Sequence, residues 1–136
     1  MKKYSLVTAF LILVSAGLWA QSPDYRVVFD ITSKDTMAHH TVVRQVNGIL
    51  KSNPDAKLEV VIYGGSLDLV TKDRSVVAPA IQELAKKVSF KVCAVTMQRY
   101  NIDKSQLIAG VETVPDGIYE IITKQKQGWG YIKVSQ

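Results

Sequence analysis

Cys93 is the only cysteine in the chain, and its neighbours give a thiol something to work with. The stretch Ser89-Phe90-Lys91-Val92-Cys93 reads as a short apolar strand. Ala94-Val95-Thr96-Met97-Gln98-Arg99-Tyr100 then reads as a helical turn carrying an arginine. A thiol between a strand and a helix faces the positive end of that helix, which favours thiolate over thiol. Backbone N–H groups from Val95 through Thr96 to Met97, with Lys91 or Arg99, would hold that charge. Such a thiolate attacks a sulfane sulfur or a disulfide and hands the resulting persulfide or mixed disulfide to a second thiol. The other reading is a buried small hydrophobe at the end of a core strand, a common fate of free cysteine.

Two further groups bear on the same edge. Gly64-Gly65-Ser66 follows an apolar run, where glycines let a backbone turn sharply or approach a ligand closely. It lacks the remaining glycines and the Lys-Ser/Thr of a phosphate loop. His39-His40 are adjacent, so on a helix they point about 100° apart and cannot share one metal ion. Of the two, His39 is the candidate base for Cys93, if the first helix starts at that edge. His-x-x-x-His and Cys-x-x-Cys spacings are absent, so neither a metal nor a cofactor is expected. Asp30, Asp68, Asp73, Asp103 and Asp116 are read as loop or helix-start residues, where capping is the default role.

These residues need a scaffold. Tyr25 to Thr32 is a β-branched run and a first strand, and the polar Thr32-Ser33-Lys34-Asp35 can cap the helix after it. Val42, Val43, Val46, Ile49 and Leu50 recur at helical spacing until Ser52-Asn53-Pro54. Lys57 to Tyr63 is a second strand, Val76 to Lys87 a helix with Pro79 placed awkwardly, and Val88 to Val95 a third strand. Thr96 to Tyr100 is helical, and Val111 to Val114 is a weak fourth strand. A last helix starts at Pro115-Asp116-Gly117, burying Ile118, Ile121 and Ile122, with Lys124 and Lys126 in water. Tyr131 to Val134 closes the chain. Strands alternating with helices imply a parallel sheet in an α/β domain with helices on both faces. In such a sheet, ligands bind beyond the carboxyl ends of the strands.

The 136 residues suffice for one domain, placed at 24–136, and 47% hydrophobic with 21% charged residues is an ordinary globular balance. The net charge is +5, or +3 without Lys2 and Lys3, and no arginine-rich patch with interleaved aromatics appears, so nucleic acid is set aside. Lys2-Lys3, the apolar run Leu6 to Leu18 and Leu18-Trp19-Ala20 have the layout of a secretory signal peptide over 1–20, with Gln21 the first mature residue. The expected location is therefore periplasmic or secreted, with no stable membrane insertion after cleavage. An uncleaved anchor is the other reading, but the apolar run is short for a span of about 20 residues.

Val92-Cys93-Ala94-Val95-Thr96-Met97, Ile102, Gly110-Val111 and Pro115-Asp116-Gly117 together resemble the DsrE/DsrF-like (DsrEFH) family. So do Val60-Val61-Ile62-Tyr63-Gly64-Gly65-Ser66-Leu67-Asp68-Leu69 and Gln125-Lys126-Gln127-Gly128-Trp129-Gly130-Tyr131-Ile132. The resemblance implies a three-layer α/β/α domain with a mainly parallel five-strand sheet, assembled as a homo-oligomer, commonly a trimer or hexamer. It also implies that Cys93 carries sulfur as a persulfide, with a thiol or sulfur-donor protein as partner. The sulfur-relay members have Arg-Gly after the cysteine, whereas Arg99 here is followed by Tyr100-Asn101, and the signal-like start fits an exported branch. A carrier moves sulfur without turning over a substrate alone, which leaves enzymatic turnover open. The alternative is an oligomeric module binding a small ligand or a partner, with Cys93 structural.

Overall fold

The computed structural model describes residues 24–135, so the signal-like segment lies outside the described residues. Five strands form one sheet in the order β4-β3-β2-β1-β5, with every neighbouring pair parallel. They are β1 (Arg26–Ile31), β2 (Lys57–Ile62), β3 (Ser89–Cys93), β4 (Glu112–Val114) and β5 (Gly130–Lys133). Four α-helices connect them: α1 (Thr36–Ser52), α2 (Ala78–Leu84), α3 (Ala94–Arg99) and α4 (Gly117–Lys126). The parallel α/β architecture read from the sequence is therefore the one observed.

Local chemistry sets the helix ends. The Asp35 carboxylate accepts the Met37 N–H at 2.8 Å and starts α1, whose Ala38, Val42 and Val46 bury at intervals of one helical turn. Pro79 shortens α2 relative to the expected Val76 start. It sits in the helix's first turn, where its missing N–H leaves no bond unmade. The third strand ends at Cys93 rather than Val95, because α3 begins directly at Ala94. Asp116 starts α4 by accepting the Ile118 and Tyr119 N–H groups at 2.8 and 3.0 Å.

The two faces of the sheet are unequal. Phe29, Ile31, Val60, Ile62, Phe90 and Val92 point to the face carrying α1 and α2, where the main core lies. The opposite face holds a small cluster of Val28, Val61 and Ile121, flanked by Tyr63 and Trp129. Burying one isoleucine is worth roughly 1.5–3 kcal/mol, so Ile121 alone is a modest anchor for α4. Polar contacts supplement it: Lys124 Nζ reaches Glu59 Oε2 at 3.2 Å and Glu120 Oε1 at 3.6 Å, and lies 4.6 Å from the centre of the Trp129 ring.

Two expectations for α4 need correction. Ile118 and Ile122 are not buried but 56% and 45% exposed. Lys124 does not face open water but ties α4 to Glu59, a residue only 2% exposed. The inward face is Gly117, Glu120, Ile121 and Lys124, a helical i, i+3, i+4, i+7 stripe half of which is charged.

Candidate functional site

Cys93 is the last residue of β3 and the N-cap of α3. Met97 in α3 packs into the main core, while α4, which follows the neighbouring strand β4, packs on the other face. Exits onto opposite faces open a crevice at the carboxyl edge of a parallel sheet. A cleft of about 430 Å³ lies there, lined by Cys93 with Thr32, Tyr63, Gly64, Val95, Thr96, Arg99, Asp116 and Ile118. Cys93 is 5% exposed, so its sulfur is reached through the cleft.

Four groups bear on that sulfur. Burial pushes the Cys93 thiol up. The Thr96 hydroxyl and the backbone amides of Gly117, Thr96 and Val95 pull it down further, and the net shift is below the ordinary thiol value. The Thr96 oxygen accepts the Gly64 N–H at 3.3 Å, which leaves the hydroxyl proton free to be donated toward the thiolate. Gly117 belongs to α4 and approaches closely because it has no side chain. A Cβ there would stand 3.3 Å from Cys93 Cβ, 3.4 Å from Tyr63 Cβ and 3.2 Å from Val61 Cγ1.

Tyr63, which lines the cleft, is influenced by Asp30, whose reading as a loop or capping residue needs correction. Asp30 lies within β1, is 5% exposed, and accepts the Tyr131 hydroxyl at 2.5 Å and Lys133 Nζ at 2.9 Å. Lys133 also donates to Thr32 Oγ1 at 3.1 Å. Burial, and then the Asp30 charge, push the Tyr63 phenol up to about 12, so it stays a hydroxyl donor at neutral pH.

Of the residues singled out from the sequence, Gly64, Thr96 and Arg99 line the Cys93 cleft. Gly65 lines an adjoining hollow, and Met97 lines a larger cavity of about 500 Å³ beyond Val95. That larger cavity is not lined by Cys93. Its Asp103 caps the short 3-10 turn Lys104–Gln106. Ser66 is fully buried and donates to the Ile31 and Tyr63 carbonyls at 2.7 and 2.8 Å, which pins the glycine turn in place. His39 is 1% exposed with Nε2 3.0 Å from the Ser33 carbonyl, and it does not line the cleft. Tyr63, Gly117, Thr32 and Asp116 reach the site without having been singled out for it. For Gly117 the signal was present: a glycine directly after a helix-capping aspartate need not be there for the turn. Among the described residues no three His, Cys, Asp or Glu side chains gather so as to hold a metal ion.

The DsrE/DsrF-like family pattern matches residues 26–134. A protein of unknown function from Methanobacterium thermoautotrophicum has a similar structure, with 30% identity and a TM-score of 0.77 over 81% of this chain and 99% of its own. A conserved protein of unknown function from Bacteroides thetaiotaomicron shares the fold at 15% identity and a TM-score of 0.69, covering 85% of this chain and 99% of its own. The ychN protein from E. coli does so at 12% identity and 0.69, over 82% of this chain and 99% of its own. No curated protein matches the chain.

Proposed function

The chain belongs to the DsrE/DsrF-like family, and on that premise we propose that it handles sulfur through Cys93. The Cys93 thiolate takes a sulfane sulfur, or one half of a disulfide, and passes it to a partner thiol. One observation carries this reading: Cys93 lines a cleft at the carboxyl edge of the sheet, and Thr96 with three backbone amides favours its thiolate despite burial. The signal-like segment Met1–Ala20 supports a periplasmic or secreted setting. There a thiol unpaired within its own chain is exposed to oxidants, and export makes its retention meaningful. The outward stripe of α4, Ile118 and Ile122 with Tyr119 at 73% exposure, supports assembly into a homo-oligomer beside the cleft mouth.

The test is direct. Intact-mass analysis after incubation with polysulfide should show one added sulfur that dithiothreitol removes and that Cys93→Ser abolishes. An unchanged mass would end the reading. The 5% exposure of Cys93 favours a second reading, an oligomeric binding module in which the cysteine only packs. On that reading Cys93 resists alkylation in the folded protein and reacts only after denaturation.

A further inference from the structure

The Cys93 cleft has a neighbour across Gly64. A second hollow of about 200 Å³ opens beyond that residue, and its lining includes Lys34, Gly64, Gly65, Asp68, Arg74 and Tyr100. Gly64 lines both spaces. Two chain segments divide between them in the same way: Thr32 and Arg99 face the first, Lys34 and Tyr100 the second. The cleft itself falls within the range of small-molecule sites, about 300–1,000 Å³.

The charges along this path are not balanced. Three cations, Lys34, Arg74 and Arg99, line it against two carboxylates, Asp68 and Asp116. Asp116 accepts two α4 amides, and Asp68 Oδ1 lies 3.4 Å from Arg74 Nη1. Arg99 and Lys34 pair with no carboxylate among the described residues. One cation without a carboxylate partner therefore lines the cleft of the thiol and another lines the space beyond Gly64.

We propose that the two hollows form one groove selective for small sulfur donors with an anionic tail, meaning persulfides or disulfides that carry a carboxylate or sulfonate. The S–S bond lies at Cys93 and the tail passes Gly64 toward Lys34. This rests on the reading of Cys93 as a reactive thiol and names its substrate class. In the transfer step the Cys93 thiolate adds to the donor's outer sulfur, forming a new S–S bond. The donor's own S–S bond breaks, and its electron pair leaves on the inner sulfur as a thiolate beside Arg99. A proton on the transferred sulfur stays with it. Charge and electrons balance with no outside oxidant, since one S–S bond replaces another.

The experiment compares three disulfides of similar size with the purified protein: dithiodipropionate (a dianion), hydroxyethyl disulfide (neutral) and cystamine (a dication). Each rate of mixed-disulfide formation at Cys93 is divided by that reagent's rate with mercaptoethanol, which removes intrinsic reactivity. The expected order is dianion, neutral, dication, with about tenfold between dianion and neutral at low salt, a factor equal to ~1.4 kcal/mol. Raising salt to about 1 M, where the screening length falls to about 3 Å, should bring the ratio near one in the unmodified protein. Lys34→Gln with Arg99→Gln should do the same at low salt. Equal normalised rates for the three reagents would overturn the anion preference and leave the thiol reading standing. A preference that survives both salt and the double substitution would show that these cations are not its source. Failure of Cys93 to react with any of the three would overturn both.

Discussion

Gly117→Ala is the sharpest probe of the site, because it deletes no polar group and acts only through the position of α4. The added methyl would meet Val61 Cγ1 at 3.2 Å, Cys93 Cβ at 3.3 Å and Tyr63 Cβ at 3.4 Å. Optimal carbon–carbon separations are about 3.5–4.0 Å, so the contacts are short by a few tenths of an ångström. Two of the three atoms are Cβ atoms fixed to the sheet and its edge, so the first turn of α4 has to lift instead. Overpacking costs about 1–3 kcal/mol, and alanine recovers up to about 1 kcal/mol of helix propensity over glycine. The net loss of stability is therefore about 0–3 kcal/mol. The effect on chemistry should be larger relative to background. A hydrogen bond to a charged group is worth about 1.5–3 kcal/mol, and lifting the Gly117 amide away from Cys93 forfeits part of it. A loss of ~1 kcal/mol lowers the thiolate population about fivefold at any pH below the thiol's own titration.

The assay is the rate of iodoacetamide alkylation across the thiol titration range, about pH 5 to pH 9, followed by intact mass, with urea unfolding in parallel. Gly117→Ala should move the alkylation profile to higher pH and slow the reaction about fivefold at the acid end, with the unfolding free energy lowered by no more than about 3 kcal/mol. A profile that superimposes on the parent, in a variant whose stability has fallen, would refute the idea that α4 holds the thiolate. Thr96→Val serves as the control for the other donor. It should shift the profile in the same direction while leaving the Gly64 N–H without its acceptor.

Three more outcomes can be checked. Burial, then a hydrogen bond from the Glu120 side, raise the Glu59 carboxyl from 4.5 to about 7, against the opposing pull of Lys124. Its contribution to stability is therefore complete below about pH 4.5 and is lost as pH rises through about 7, and Glu59→Gln should flatten that slope by roughly 2–3 kcal/mol in urea titrations over pH. A slope unchanged by the substitution would sink this account. Asp30→Asn should cost about 1–3 kcal/mol by removing the charge that Lys133 and Tyr131 share. It should also bring the Tyr63 phenol down from about 12, though not to its ordinary value, because burial is the larger cause. Difference absorbance with and without Tyr63→Phe reads that shift. Ile118→Lys with Ile122→Lys should dissociate the proposed homo-oligomer to monomers in sedimentation velocity without unfolding the chain, since both residues are about half exposed. An intact assembly would place the interface elsewhere.

What the sequence makes legible here is whatever depends on near neighbours. The β-branched runs of β1 and β2, the Asp35 and Asp116 caps and the proline after α1 each act within a few residues, and each marks its element close to where it lies. Asp30 falls inside the strand read from the sequence, but its role was not legible, because its partners Tyr131 and Lys133 stand 101 and 103 positions away. Only the parallel pairing of β1 with β5, which sets Asp30 opposite Lys133, brings them together. His39 misled in the opposite sense. A lone imidazole near the right edge suggests a base, yet a ring buried to 1% exposure next to a carbonyl is already spoken for.

The case of α4 is the most instructive, since hydrophobic periodicity there points the wrong way. Three isoleucines invite the reading that all of them bury, but at about 100° per residue Ile121 lies about 60° from Ile118 and about 100° from Ile122, so a face centred on Gly117, Ile121 and Lys124 leaves the other two outside it. The sheet beneath α4 presents Glu59 beside Val61, with Tyr63 at its edge, and that surface accepts the stripe carrying Lys124 and a glycine better than the one carrying two isoleucines. Gly117 must face inward for α4 to come close enough to touch Cys93, and helical geometry then fixes Ile118 and Ile122 outward. The close approach that tunes the thiol and the apolar stripe beside the cleft are thus one choice of helix rotation. A variant that rotated α4 to bury its isoleucines would lose the thiolate's amide donor in the same movement.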